Sequence, residues 1–213
     1  MSLPAPDRRT FLSALVAGIA GAGILAGCSS EEDGSSSNGT PSTGSGAGRL
    51  PRDPGLAADP FTLGVASGDP DPTSVVLWTM LSPDPTAADG SGGMDAEDVE
   101  VGWEVATDEA FDDVVASGIT TAPAGLGHSV HVTPDDLGSD TWYHYRFFIG
   151  DRAWVSSTGR TRTMPAADAS PDRMRLAFAS CQDFANGYYS AYRNMAADDL
   201  DLVFFLGDYI YEY

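Results

Sequence analysis

Strict alternation marks Val99-Glu100-Val101-Gly102-Trp103-Glu104-Val105, which places Val99, Val101, Trp103 and Val105 on one face of a strand. Trp142 to Phe148 repeats the pattern, with Tyr143, Tyr145 and Phe147 sharing a face. Ser74 to Met80, His128 to Val132 and Ala153 to Ser156 read as three further short strands. Gly68-Asp69-Pro70 and Pro134-Asp135-Asp136 punctuate them. Short apolar runs about every ten residues, with turn signals between, predict an antiparallel β-sandwich of immunoglobulin or fibronectin type over residues 56–165. Leu137 precedes Tyr143 by six residues, the layout of a tyrosine corner that ties a strand start to the loop before it. No cysteine pair falls in this stretch, so packing alone must hold the sheets.

The texture changes across residues 165–172. Met174 to Cys181 is mostly apolar and suits a buried parallel strand. Tyr188 to Asp198 places Tyr188, Ala191, Tyr192 and Met195 at helical spacing. Leu202 to Leu206 is a second buried strand, ended by Gly207-Asp208. Together they predict one βαβ unit with a right-handed crossover. In such a unit both strands finish at the same edge, where open α/β sheets bind ligands. Neighbouring strands lie about 4.8 Å apart, so Cys181 and Asp208 can reach one metal ion. Tyr211, three residues beyond Asp208, can share that site.

The three histidines need separate treatment. His128 and His131 are three apart and point to opposite faces of a strand, so a joint metal site there needs a bulge. With His144 they read as rim or surface residues.

The amino terminus reads as an export signal over residues 1–27. Asp7-Arg8-Arg9-Thr10-Phe11-Leu12 matches a twin-arginine pattern, although Asp7 stands where Ser or Thr is more usual. The 16 residues from Leu12 to Gly27 are mostly small or apolar, too few for a membrane span. The alternative is an ordinary secretory signal that carries two arginines by chance. Leu25-Ala26-Gly27-Cys28 resembles a lipobox, which would make Cys28 a lipidated first residue; the alternative is plain cleavage near Ala26. Residues 28–55 are Ser, Gly, Thr, Pro and acids, a disordered linker between lipid and domain. These readings place the protein outside the cytoplasm, at the cell surface or in the periplasm, with the twin-arginine translocase as a transient partner.

Composition then narrows the function. Across 213 residues the net charge is −20, and all 11 basic residues are arginine. So acidic a surface repels duplex nucleic acid. Hydrophobic content of 42% excludes full disorder. The cysteines number 2, Cys28 and Cys181; if the first carries lipid, the second has no disulfide partner.

Phe178-Ala179-Ser180-Cys181-Gln182, followed by Phe205-Leu206-Gly207-Asp208-Tyr209-Ile210-Tyr211-Glu212, resembles the PhoD-type alkaline phosphatases and related phosphodiesterases. Phe61 to Pro70 with Val76-Leu77-Trp78-Thr79 is similar to that family's fibronectin-like amino-terminal module. The likeness runs from about Pro60 to Tyr213. It implies a sandwich followed by the first βαβ unit of a truncated α/β, calcineurin-like metallophosphoesterase domain, beginning near residue 172. It also implies an Fe3+ and Ca2+ centre with Cys181 and Tyr211 on iron, Asp208 bridging iron to calcium, and a metal-bound oxygen as nucleophile. Asp183 has no counterpart as a ligand and reads as a polar loop residue. Three anionic donors suit a trivalent cation, which in turn lowers the thiol and phenol pKa. Taken singly, Cys181 is a small hydrophobe at a strand end, Asp208 a helix N-cap and Tyr211 a core aromatic.

The resemblance implies hydrolysis of phosphate esters. A phospholipase-D-like phosphodiesterase is a close rival, and a non-catalytic, lipid-tethered binding module stands in another class. With one βαβ unit and no further ligand motifs, the expectation is an incomplete fragment, inactive by itself.

Overall fold

The computed structural model describes residues 49–183, 186–208 and 211. The predicted export signal, with Arg8 and Arg9, and the predicted lipidation site Cys28 lie outside the described residues. No described helix is long and apolar enough to cross a membrane.

Two antiparallel sheets share one core. The first runs in the order β1 (Val65–Gly68), β2 (Val76–Met80), β5 (Ser129–Val132). The second runs β4 (Val114–Ala122), β3 (Val99–Ala106), β6 (Trp142–Ile149), with β7 (Trp154–Val155) and β8 (Gly159–Arg162) both on the far edge of β6. Leu77, Val130 and Val132 from the first sheet meet Val99, Val101, Val105, Tyr143, Tyr145 and Phe147 from the second in one apolar cluster. The sandwich-like arrangement expected from the alternation is therefore present: β3 and β6 each turn their predicted apolar row inward.

Two strands carry no alternation and are missing from the pattern-based expectation. β4 is built of Val, Ala, Ser, Gly, Ile and Thr, forms a sheet edge, and leaves Val114 and Val115 exposed. Its place is set by Trp103, its neighbour on β3. Trp103 lies over Gly118 so closely that a Cβ there would stand 2.7 Å from the indole. β8 holds three polar residues after Gly159, where Tyr145 covers the backbone in the same way, 2.3 Å from a would-be Cβ. The run expected over Ala153 to Ser156 shrinks to two residues. Ser156 then bonds to β6, its Oγ accepting the Phe147 N–H at 2.9 Å.

The tyrosine corner forms. Tyr143 is buried in the core cluster, and its Oη accepts the Gly138 N–H at 2.7 Å. Tyr143→Phe should lower stability by about 0.5–1.5 kcal/mol, because the Gly138 amide loses its acceptor. Thermal unfolding of the two proteins checks this; a superimposable transition would leave the bond without value.

His128 corrects a sequence reading. It is not a surface residue: it is buried just before β5, in the left-handed region (φ 55°), with Nε2 2.9 Å from the Glu97 carbonyl. The backbone kink turns the ring inward, and no hydropathy period encodes that kink. His131 is exposed and His144 partly buried, as expected for rim positions.

After residue 165 the chain leaves the sandwich. β9 (Leu176–Ala179) and β10 (Leu202–Phe205) pair in parallel, with α1 (Ser190–Ala197) between them in sequence. The helix begins two residues later than expected, because Tyr189 stands left-handed at its N-cap (φ 49°). α1 docks on β10 through Tyr192, whose ring meets Phe205 edge-on with centroids 5.6 Å apart. Both strands were expected to be buried. Instead Leu176, Phe178, Phe205 and Leu206 are exposed, Phe178 at 71%. One helix covers at most one face of a two-stranded sheet.

Candidate metal centre

The pairing of β9 with β10 sets the site. Leu202 stands opposite Leu176 and Phe205 opposite Ala179, so both strands finish together. Backbone bonding continues past the strands: Leu206 N donates to Ala179 O at 2.8 Å, Cys181 N to Gly207 O at 3.3 Å, and Gln182 N to Asp208 O at 3.1 Å. These rungs hold Cys181 and Asp208 next to each other at the carboxyl edge. Both are left-handed, with φ of 58° and 50°. Asp tolerates that conformation better than Cys, and non-glycine residues held there concentrate at functional positions.

The side chains converge on one oxygen. Cys181 Sγ lies 3.5 Å from Asp208 Oδ2, and the Tyr211 phenol donates to the same Oδ2 at 3.2 Å. All three residues are solvent-exposed. Bonding to Cys181, then lost hydration, then Asp208 push the Tyr211 phenol well above the ordinary tyrosine value. Negative neighbours keep the proton on; a cation at the shared point reverses that sign. The donor set of one sulfur and two anionic oxygens fits a highly charged transition-metal ion. Among the described residues no three His, Cys, Asp or Glu side chains cluster; the group at this edge is a thiol, a carboxylate and a phenol.

Asp183 follows Cys181 by two residues. Its Oδ2 accepts from Asn186 Nδ2 at 2.7 Å, a contact within its own loop. The three histidines lie on or beside β5 and β6. Sequence reasoning missed Arg162 and Asp201, which join the sandwich to the start of β10. Their separation of 39 positions follows no periodicity.

Comparison with known proteins fits this architecture. Residues 48–165 match the family model described as PhoD-like phosphatase, N-terminal domain, and residues 176–213 match PhoD-like phosphatase. The chain is 47% identical over 207 residues to alkaline phosphatase D of Bacillus subtilis (strain 168), covering 97% of this chain and 32% of that protein. A solved structure of PhoD superposes with a TM-score of 0.72 at 52% identity, over 75% of this chain and 30% of that one. The chain thus spans about a third of the length of these relatives. With a sandwich-like β-rich module leading into a parallel strand pair, and family models matched over both, the chain belongs to the PhoD-like phosphatase family.

Proposed function

We propose that this chain forms the amino-terminal part of an exported alkaline phosphatase that hydrolyses phosphate mono- and diesters at an iron(III)/calcium centre. The observation that carries the reading is the meeting of the Cys181 thiol and the Tyr211 phenol on Asp208 Oδ2 at a parallel-sheet edge. Cys181 and Tyr211 would hold iron as thiolate and phenolate. Asp208 would be shared between iron and calcium, which takes oxygen donors. The two ions would supply Lewis-acid stabilisation of the phosphoryl oxygens.

The chain's own contribution is placement. The backbone rungs between residues 179–182 and 206–208 fix the thiol and carboxylate before any ion arrives, which lowers the ordering cost of binding. Cys181 and Asp208 are both left-handed just beyond the strand ends, and their side chains meet there at 3.5 Å. The fibronectin-like sandwich serves as the platform. The segment with Arg8 and Arg9 would direct export through the twin-arginine translocase, and Cys28 would anchor the mature chain to a membrane.

The test is a chimera in which residues 48–213 replace the matching third of Bacillus subtilis alkaline phosphatase D. The chimera should bind iron and hydrolyse p-nitrophenyl phosphate and bis-p-nitrophenyl phosphate, whose ratio reports mono- against diester preference. Cys181→Ala should remove bound iron and cut both rates by more than the roughly 10- to 100-fold loss that outer-shell changes cause. Full iron content and full turnover in that variant would end the assignment.

A further inference from the structure

We propose that Arg162 is a positioning residue, carrying the rigidity of the sandwich into the edge where Cys181 and Asp208 meet. Arg162 closes β8. Its guanidinium donates to Asp140, in the turn before β6, and to Asp201, immediately before β10. Asp201 is engaged on a second side as well. Its Oδ2 accepts the Arg175 N–H at 2.7 Å, and its own N–H donates to Arg175 O at 2.9 Å. Arg175 immediately precedes β9. One sandwich arginine therefore holds the starts of both parallel strands.

The contact is sheltered. The Arg162 and Asp201 side chains are only 22% and 17% exposed. They line a cavity of about 20 Å³ walled by Pro70, Pro165, Pro171 and Leu202. Arg162 Nε is buried and unpartnered, so the guanidinium depends on the two carboxylates that hold its other nitrogens. With little water between them, the charges attract more strongly than an exposed pair does.

The strands then transmit the placement. β9 and β10 have four residues each, and their register is unbroken from Leu176–Leu202 to Ala179–Phe205. Their last residues stand roughly 10 Å from their first, three steps of about 3.3 Å each. An isolated strand pair with one helix is marginally ordered. Fixing its starts to a packed sandwich is what keeps its ends in register. That role extends the metal reading, and the experiment separates the two.

Amide hydrogen exchange is measured in the full chain carrying Arg162→Met, Asp201→Asn, or both. Each single change should speed exchange about tenfold in Leu176–Ala179 and Leu202–Phe205, with the double variant no worse than either single. Val99–Ala106 should keep its protection. Arg162→Lys, which retains charge but not the two-pronged fork, should recover part of the loss. In the chimera with Bacillus subtilis alkaline phosphatase D, Arg162→Met should weaken iron(III) binding, read from the phenolate-to-iron absorption band. Unchanged exchange in β9 and β10, additive single effects, or equal loss in Val99–Ala106 would each overturn the proposal. If the chimera without substitutions gives no iron band, the metal reading fails, and the exchange data still decide the role of Arg162.

Discussion

Phe147→Ala is expected to cost about 3–5 kcal/mol, the range for removing a fully buried aromatic ring. Phe147 is 0% exposed and sits in the middle of β6, with Tyr145 edge-on to it at 6.4 Å. Its ring belongs to the cluster that both sheets share. Its backbone is fixed on both sides, opposite Trp103 on β3 and bonded to Ser156 on the other edge. The strand therefore cannot move in to fill the void, and the cavity term is retained in full. Domains of this kind are stable by about 5–15 kcal/mol, so the variant should approach its unfolding threshold. Urea unfolding followed by tryptophan fluorescence would show a lower midpoint with an unchanged slope. Phe147→Leu, which leaves a smaller void, should lose less. A loss below about 1 kcal/mol for the alanine variant would mean that the two sheets do not depend on this ring.

The same strand shows what was legible in the sequence. The alternation of Tyr143, Tyr145 and Phe147 identifies the inner face of β6 without coordinates, because one face is apolar and the period is two. β4 and β8 stay hidden because edge strands of small or polar residues bury little, and their pairing is dictated by Trp103 and Tyr145 lying over glycines. At the candidate centre, the parallel texture places Cys181 and Asp208 at one edge, since strand direction alone decides it. The left-handed turns that aim their side chains are not readable, because neither residue is a glycine that would announce them. The exposed faces of Phe178 and Phe205 show the converse: an apolar run encodes a tendency to be covered, while actual burial depends on what packs against it.

Glu104→Met is expected to destabilise the chain by about 2–3 kcal/mol, although it replaces a buried carboxylate by an apolar side chain of similar length. Glu104 lies on the outer face of β3, directly opposite Arg146 on β6, with its side chain 9% exposed. Its Oε2 accepts from Arg146 Nε and Nη2 at 2.9 and 2.8 Å, and its Oε1 accepts from Arg152. Each guanidinium also covers an aromatic ring, Arg146 at 3.9 Å over Phe111 and Arg152 at 4.7 Å over Phe148. Removing the carboxylate leaves two like charges held near each other by their stacking, without the group that neutralised them. Arg146, at 24% exposure, can regain only part of its hydration, and for that reason the expected cost lies below that of a fully buried broken pair. Glu104→Met combined with Arg146→Met should recover much of the loss, because the uncompensated cation goes as well. Equilibrium unfolding of the wild type, both single variants and the double variant gives the coupling. If Glu104→Met alone costs less than about 0.5 kcal/mol, the network acts as an ordinary surface salt bridge, and the outer face of β3 and β6 is held by its aromatic rings alone.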